Sequence, residues 1–497
     1  MQAVSRVGAL AAAVLLAAPL SAGEPPMASP AGDRLQDDLA ARRKRVAEKL
    51  GADVMLVLQS PPSRVYSRDV DYSFRQDSNL YYLTGIDQED TALVLLPGAG
   101  AASEVLFVRR RDAAREHRDG RRLSRDEAKA RSGIATVYDS GDLEPFLRAV
   151  FDRRPFPPRA YTPPVADAYA RALAEGRARV ALDLDRTPAF DEPLPPAHDL
   201  ARKLRERAPQ LLVSNASGLL AGLRQVKTPY ERTVLARSVE ISSRGMREAM
   251  RAARPGASEY TVRGALEREW STGGALGWGY PPIVASGPNA TILHHPSYER
   301  RLEAGDLLLI DAAASYEYLT GDITRTFPVS GKFTPDQRTI YDLVLAAQEA
   351  GIQKAGAGVL PKDVHEATVG VIKEGLLRLG LITDASGDQY RRWYTHGSVH
   401  YIGMDVHDVG DSSRPLEVGS AFVIEPGLYI REDTLDALPD TPESRAFIEK
   451  VRPAVRRFKD IGVRIEDSFL ITEQGLQNLS GSVPRKPQDV EAHLQAR

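Results

Sequence analysis

Between residues 35 and 213 the chain alternates short, unbroken apolar runs with segments of helical spacing. Val54-Met55-Leu56-Val57-Leu58, Ala92 to Leu96 before Pro97, Val105-Leu106-Phe107-Val108 and Val180-Ala181-Leu182-Asp183 are too short for helices and lack the polar alternation of half-exposed strands. They predict buried strands of an α/β layer, with a helix over 37–50 beside them. Pro155–Pro164 and Pro188–Pro196 read as loops. A boundary falls near Asn215–Lys227. Beyond it, Thr228-Pro229-Tyr230-Glu231 sets a cap residue, a proline at the first helical position and an acid three residues after the cap. That order satisfies the free amides of a helix start. The helix should run to about Arg254, where Pro255-Gly256 stops it. Further helices are predicted from Ser258 toward Trp270, over 335–354 and over 362–379. In this half, 214–480, strands cluster apart from helices, an α+β arrangement. Residues 481–497 read as a loosely held polar tail.

The first residues follow another rule. Arg6 precedes Val7–Leu20, which is almost wholly Ala, Leu, Val and Gly, and Leu20-Ser21-Ala22 closes the run with small residues. The run falls short of the ~20 residues that cross a bilayer. It has the layout of a signal peptide over 1–22, so an exported protein, periplasmic or secreted, is expected. No later run predicts a membrane span. Hydrophobic residues make up 42% and charged residues 27%, which allows a sizeable core and excludes wholesale disorder. The charges nearly cancel, 65 − 67 = −2, so nothing global steers the chain to nucleic acid. Ten basic residues lie in Arg109–Arg131, but five acids interleave with them, as on a solvated face. There is no cysteine, which removes disulfides, thiolate catalysis and cysteine-ligated metal together. Any chemistry must use oxygen and nitrogen.

Those groups concentrate in the second half. Leu307-Leu308-Leu309-Ile310-Asp311 is an apolar strand ending in an acid, and Asp322 follows in the strand-like Thr320–Phe327. The spacing lets one strand end, turn and lay the second acid beside the first. Facing carboxylates repel, and a bound cation reverses that cost. His396, His400 and His407 fall within twelve residues of a chain that has nine histidines. Glu425 in Phe422–Gly427 and Glu466 in Gly462–Asp467 repeat the pattern of an acid at the end of an apolar strand. Such acids are costly unless paired or metal-bound. Four carboxylates and an imidazole make a hard donor set, suited to manganese, cobalt or iron, and sufficient for two ions.

These segments resemble the pita-bread metallopeptidases, most closely the Xaa-Pro aminopeptidases (aminopeptidase P), with proline dipeptidases next. The resemblance is carried by Ile292-Leu293-His294, Asp311, Gly321–Pro328, His396–Gly410, Glu425–Tyr429 and Gly462–Asp467, and in the first half by Phe74–Asn79 and Tyr82–Gly85. It implies an α+β pita-bread catalytic domain preceded by an α/β N-terminal domain, and hydrolysis of the bond between an N-terminal residue and a following proline. It implies two divalent ions, manganese first, held by Asp311, Asp322, His400, Glu425 and Glu466. Glu425 would also carry the proton, while His294 and His407 would stabilise the reacting carbonyl and hold the substrate. Tyr280 and Arg464 would orient the ligands, and His396 would be a substrate-side group. Peptides with proline second are the expected partners, in a homo-oligomer. His295 and His365 read as ordinary structural histidines.

The chain also departs from the family. Arg431–Asp460 is a long charged insert, expected either to cover the site or to contact a partner subunit. Where relatives often have a tryptophan that closes the substrate cavity, this chain has His117-Arg118-Asp119. The same ligands serve proline dipeptidases, which differ in substrate length. A noncatalytic binding protein on this fold is the remaining alternative.

Overall fold

The computed structural model describes residues 32–98, 104–154, 156, 167–185, 188–190 and 192–496. The expected leader, 1–22, and most of the loop 155–164 lie outside them.

The unbroken apolar runs of the first half are explained by a sheet covered on both faces. Its order is Thr136–Asp139, Glu104–Val108, Ala92–Leu95, Val54–Gln59, Arg179–Leu182, Leu212–Asn215. Val54–Gln59 runs antiparallel to Ala92–Leu95 and parallel to Arg179–Leu182. Successive side chains point to opposite faces. Leu56, Leu58, Leu93 and Leu106 enter a core shared with the second half of the chain, while Met55, Val57, Val94 and Phe107 pack against Phe146, Val150 and Leu204. A strand with no solvent side needs no polar alternation.

In the second half, Thr228 caps the helix Pro229–Ala252 through a reciprocal pair: its side chain accepts from the Glu231 amide, and Glu231 accepts from the Thr228 amide. Ser258 caps Glu259–Thr272, and these two helices pack as a pair. Pro335–Lys354 and Pro361–Arg378 form a second pair. The first pair shares its core with Leu308, Ile310, Ala314, Val423 and Leu470. The second shares a core with Leu428, Ile430, Val463 and Ile465. Short antiparallel sheets therefore lie between two helical layers, and the acid-bearing strand ends meet there.

The tail differs from expectation, and the charged insert proves to be packed on one face. The tail is partly helical: Pro487–Gln495 buries Val490 and Leu494, spaced one helical turn apart. The carbonyls of Val483 and Pro484 accept from the buried Arg325 guanidinium, which also pairs with the buried Asp467. The charged insert forms the helix Pro442–Phe458, whose Phe447, Val451, Val455 and Phe458 complete the core of the second helix pair. Its apolar stripe has helical spacing, and its arginines occupy the opposite, solvated face. Among the described residues, no helix is long and apolar enough to cross a membrane.

Candidate metal centre

Leu307–Asp311 is the middle strand of a three-stranded sheet and is buried throughout, so its terminal carboxylate is delivered into the interior. Its register places Asp311 opposite Thr324. As expected, the Asp322 carboxyl lies in hydrogen-bond contact with that of Asp311, but Asp322 is not its ladder partner. The reason is a second hairpin, Ala314–Tyr316 with Leu319–Thr320, whose turn holds Glu317 and Tyr318 at φ of 46° and 69°. Asp322 lies on the segment that returns from this hairpin. Ser468 holds that segment, with its Oγ accepting from the Asp322 amide at 2.9 Å and donating to the Asp322 carbonyl at 2.7 Å. Gly321 is required there, because a Cβ would come within 2.5 Å of Val239 on the long helix.

The two acids are also joined through Tyr280. Its hydroxyl is 2.6 Å from Asp311 Oδ1 and also bonds Asp322 Oδ1. A phenol has one proton, so it can serve only one carboxylate at a time, and the environments of the two acids differ. Burial, followed by the charges of Asp311 and Glu425, raises the Asp322 carboxyl well above its usual range. Burial also opposes ionisation of Asp311, yet the Arg464 guanidinium at 2.6 Å and the Tyr280 hydroxyl hold its carboxyl below that range.

Glu425 follows the buried strand Ala421–Ile424, and Glu466 follows Ile461–Arg464. Burial pushes Glu425 up to about 8, with Arg464 opposing. Glu466 is raised by burial and then by Asp322 and Glu425. One of its oxygens accepts from Thr324 Oγ1 at 2.7 Å, whereas Oε1 is buried without a hydrogen-bond partner.

His400 faces this group. Its Nδ1 lies 3.1 Å from the Tyr401 carbonyl, so that nitrogen carries the proton and Nε2 presents a lone pair. Nε2 is 3.4 Å from Glu425 Oε1, 3.6 Å from Asp322 Oδ2 and 3.9 Å from Glu466 Oε1. Burial, helped by His407, lowers the imidazole to about 4 and keeps it neutral. A lone pair aimed at carboxyl oxygens needs a positive centre between them, which a proton or a metal ion can supply. Asp322, His400 and Glu466 each offer a ligand atom, all within 4.8 Å of one another. The orphaned Glu466 oxygen, the converging lone pairs and the hard donor set fit a divalent cation.

The remaining predicted residues divide. Arg464 joins three partners: Asp311, Thr324 Oγ1 at 3.1 Å and the Tyr429 hydroxyl at 2.6 Å. Tyr429 in turn bonds His396 Nε2 at 2.8 Å, and His396 Nδ1 donates to the Gly397 carbonyl at 2.7 Å. Burial and Arg464 lower His396 to about 3, so it is a neutral acceptor at the end of this chain. The His407 ring packs edge-on against His400 with centroids 4.4 Å apart. His294 is exposed, and no hydrogen bond or ion pair joins it to the acids. His365 bonds Ser398 and His295 contacts Ser297, both outside the acid cluster. His117-Arg118-Asp119 lies in a helix with no buried residue. Sequence reasoning passed over Tyr429, Thr324 and Ser468. Their only signal is a hydroxyl in a segment that is otherwise apolar, which many structural residues share.

Residues 234–473 match metallopeptidase family M24, and residues 39–156 match the aminopeptidase P N-terminal domain. The Xaa-Pro aminopeptidase of Haemophilus influenzae is 32% identical over 92% of this chain and 96% of its own. That of Escherichia coli is 32% identical over 93% and 98%. Among solved structures, Pseudomonas aeruginosa aminopeptidase PepP superposes with a TM-score of 0.75 at 34% identity, covering 93% of this chain and 98% of that one. The proline aminopeptidase P II of Yersinia pestis gives 0.76 at 31%, covering 93% and 100%.

Proposed function

The chain belongs to the Xaa-Pro aminopeptidase family, and from that premise we propose that its buried acids and His400 hold the divalent ions with which it removes an N-terminal residue preceding proline. It is a metallo-aminopeptidase on a pita-bread domain preceded by an aminopeptidase P N-terminal domain. The observation that carries the site assignment is the His400 Nε2 lone pair facing carboxylate oxygens, one of which has no other partner.

Asp311, Asp322, His400, Glu425 and Glu466 hold the ions, which when bound supply Lewis acidity and a water acidic enough to attack near neutral pH. The hard oxygen donors favour manganese. Tyr280 and Arg464 fix the direction of the Asp311 lone pairs, so the ligand is held in place before an ion arrives. Glu425, 3.4 Å from His400 Nε2, is the carboxylate placed to take a proton from the attacking water and return it to the departing nitrogen. That return is needed because the proline amide nitrogen has no hydrogen and leaves as a secondary amine. His407, packed on His400, and His294, exposed after the turn Gly287–Thr291, are the imidazoles available to hold the substrate carbonyl.

A panel of Xaa-Pro-Xaa tripeptides and Xaa-Pro dipeptides, assayed with manganese-loaded protein, tests this reading. Tripeptide hydrolysis releasing the first residue is expected, and it should be abolished by Asp322→Ala. Turnover confined to dipeptides overturns the aminopeptidase assignment. The protein is proposed to be exported and homo-oligomeric. N-terminal sequencing of the mature protein after cell fractionation, and light scattering, check these two points.

A further inference from the structure

His407 stands on a short turn, and the turn is held from behind. The Asp408 amide donates to the Tyr401 carbonyl at 2.9 Å and closes the base of the loop, while the Thr320 amide donates to the Gly403 carbonyl at 2.8 Å. On one side of this loop the His407 ring lies against His400. On the other, the Asp408 side chain is only 1% exposed and meets two buried cations. Lys227 Nζ donates to Asp408 Oδ2 at 2.7 Å, and Arg224 bonds Asp408 Oδ1. The Lys227 and Arg224 side chains are 1% and 3% exposed.

The packing is cut to fit this group. A Cβ on Gly403 would come within 2.1 Å of Asp408 Oδ2 and 2.7 Å of Lys227 Nζ. Lys227 also donates to the Arg224 carbonyl at 2.7 Å, so the two cations are tied to each other. Arg224 reaches on to Asp405 Oδ2 at 2.8 Å and to Asn79 Oδ1 at 2.9 Å. Asp405 accepts from Ser78 at 3.1 Å, and Arg75 donates to the Met404 carbonyl at 2.5 Å. The His407 turn is thus bonded to the N-terminal domain and to the segment that joins the domains.

Burying a carboxylate with a lysine and an arginine brings little net stability, because desolvation offsets the attraction. An apolar cluster of the same shape would hold the loop as firmly. What ions add is direction: a carboxylate gripped by one cation on each oxygen has a single orientation. Asp408 and His407 are adjacent, so fixing one restricts the backbone of the other.

We propose that Asp408, clamped by Lys227 and Arg224, is a positioning residue that sets the His407 imidazole over His400 and makes its placement depend on the domain linker. The proposal rests on the reading that His407 acts on the substrate.

The test is a double-mutant cycle on tripeptide hydrolysis by metal-loaded enzyme. Asp408→Asn keeps the shape and removes the charge. It should lower kcat about tenfold with KM and metal content little changed. In a His407→Asn background the same substitution should change kcat less than about twofold, because the residue it acts through is gone. An equal loss in both backgrounds, or no loss in either, overturns the proposal. If Asp408→Asn does not accumulate as folded protein, Lys227→Met carries the same cycle. A readout independent of activity is the side-chain NMR of 15N-histidine-labelled protein. The His407 signals, assigned by His407→Asn, should move in Asp408→Asn while those of His117 and His493 stay, and unmoved His407 signals overturn the proposal. An inactive wild type would instead refute the peptidase reading and leave the NMR result to decide this one.

Discussion

Asp311 and Asp322 share one phenolic neighbour and yet titrate in opposite directions. The difference is the Arg464 guanidinium, which reaches Asp311 and not Asp322. Arg464 and Tyr280 therefore decide which ligand is ionised before metal binds. Tyr280→Phe and Arg464→Lys should each lower metal affinity or kcat by about 10–100-fold with the fold intact, measured by metal titration and tripeptide kinetics. The arginine is not replaceable by lysine, since its planar fork serves Asp311, Thr324 and Tyr429 at once. The raised carboxyls give a further prediction. Glu425 has its proton affinity pushed up to about 8 in the ion-free protein, and Asp322 and Glu466 are raised as well. These acids hold protons near neutrality that a cation must displace. Metal affinity should therefore rise between pH 6 and 8, with proton release seen by titration in weak buffer. The need for a cation followed from residue types alone. The asymmetry between the aspartates did not, because Arg464 and Asp311 are 153 positions apart.

At the scale of elements, local signals were reliable where the physics is local. The Thr228–Glu231 cap forms as expected, and Ser258 caps the next helix in the same local way, since each cap is closed within one helical turn. Asp77 caps Ser78–Thr84 in the same way, accepting from the Leu80 amide at 2.8 Å. Burial, despite that amide, raises its carboxyl from 3.8 to about 6, with Asp183 adding to the effect. Between these values the unfolded chain gives up its proton first, so this group removes stability as pH rises from about 4 to about 6. Asp77→Asn keeps an acceptor and cannot ionise. Its stability relative to wild type should increase by about 1–3 kcal/mol from pH 4 to pH 7 in denaturant titrations. The helix Pro442–Phe458 is a case where composition hides packing. Its charges mark the solvated face, while its spaced apolar residues complete a core. Phe458 is 1% exposed, so Phe458→Ala should cost about 3–5 kcal/mol in equilibrium unfolding. Residues 481–497 did mislead, because the prolines and charges of 484–487 mask the two apolar residues that dock the helix after them.

For the molecule as a whole, the acid cluster is the place where stability and activity meet. Without a cation, buried carboxyls must repel one another or stay protonated. Chelation should therefore remove tripeptide hydrolysis and lower the thermal midpoint together, and added manganese should restore both. At one hundred times its dissociation constant, an ion that binds only the folded state adds about 2.7 kcal/mol. A midpoint that ignores the chelator would mean that the cluster does not hold the ion. The same pocket is joined to the N-terminal domain through Asp405, Arg224 and Asn79, so the two domains are not independent supports for it.

The sequence by itself determined the apolar runs of a sheet covered on both faces, the capped helices, and the acids, histidines and missing thiols that restrict the chemistry to a hard metal. Each depends on neighbours within a few residues or on residue type alone. Only the tertiary structure decided that Tyr429 would carry Arg464 on to His396, that Lys227 and Arg224 would grip Asp408, and that the insert and the tail would be packed. Those contacts form between segments brought together by burial of apolar faces, and burial is selective for area and shape but carries no mark in the sequence of which distant segment will be met.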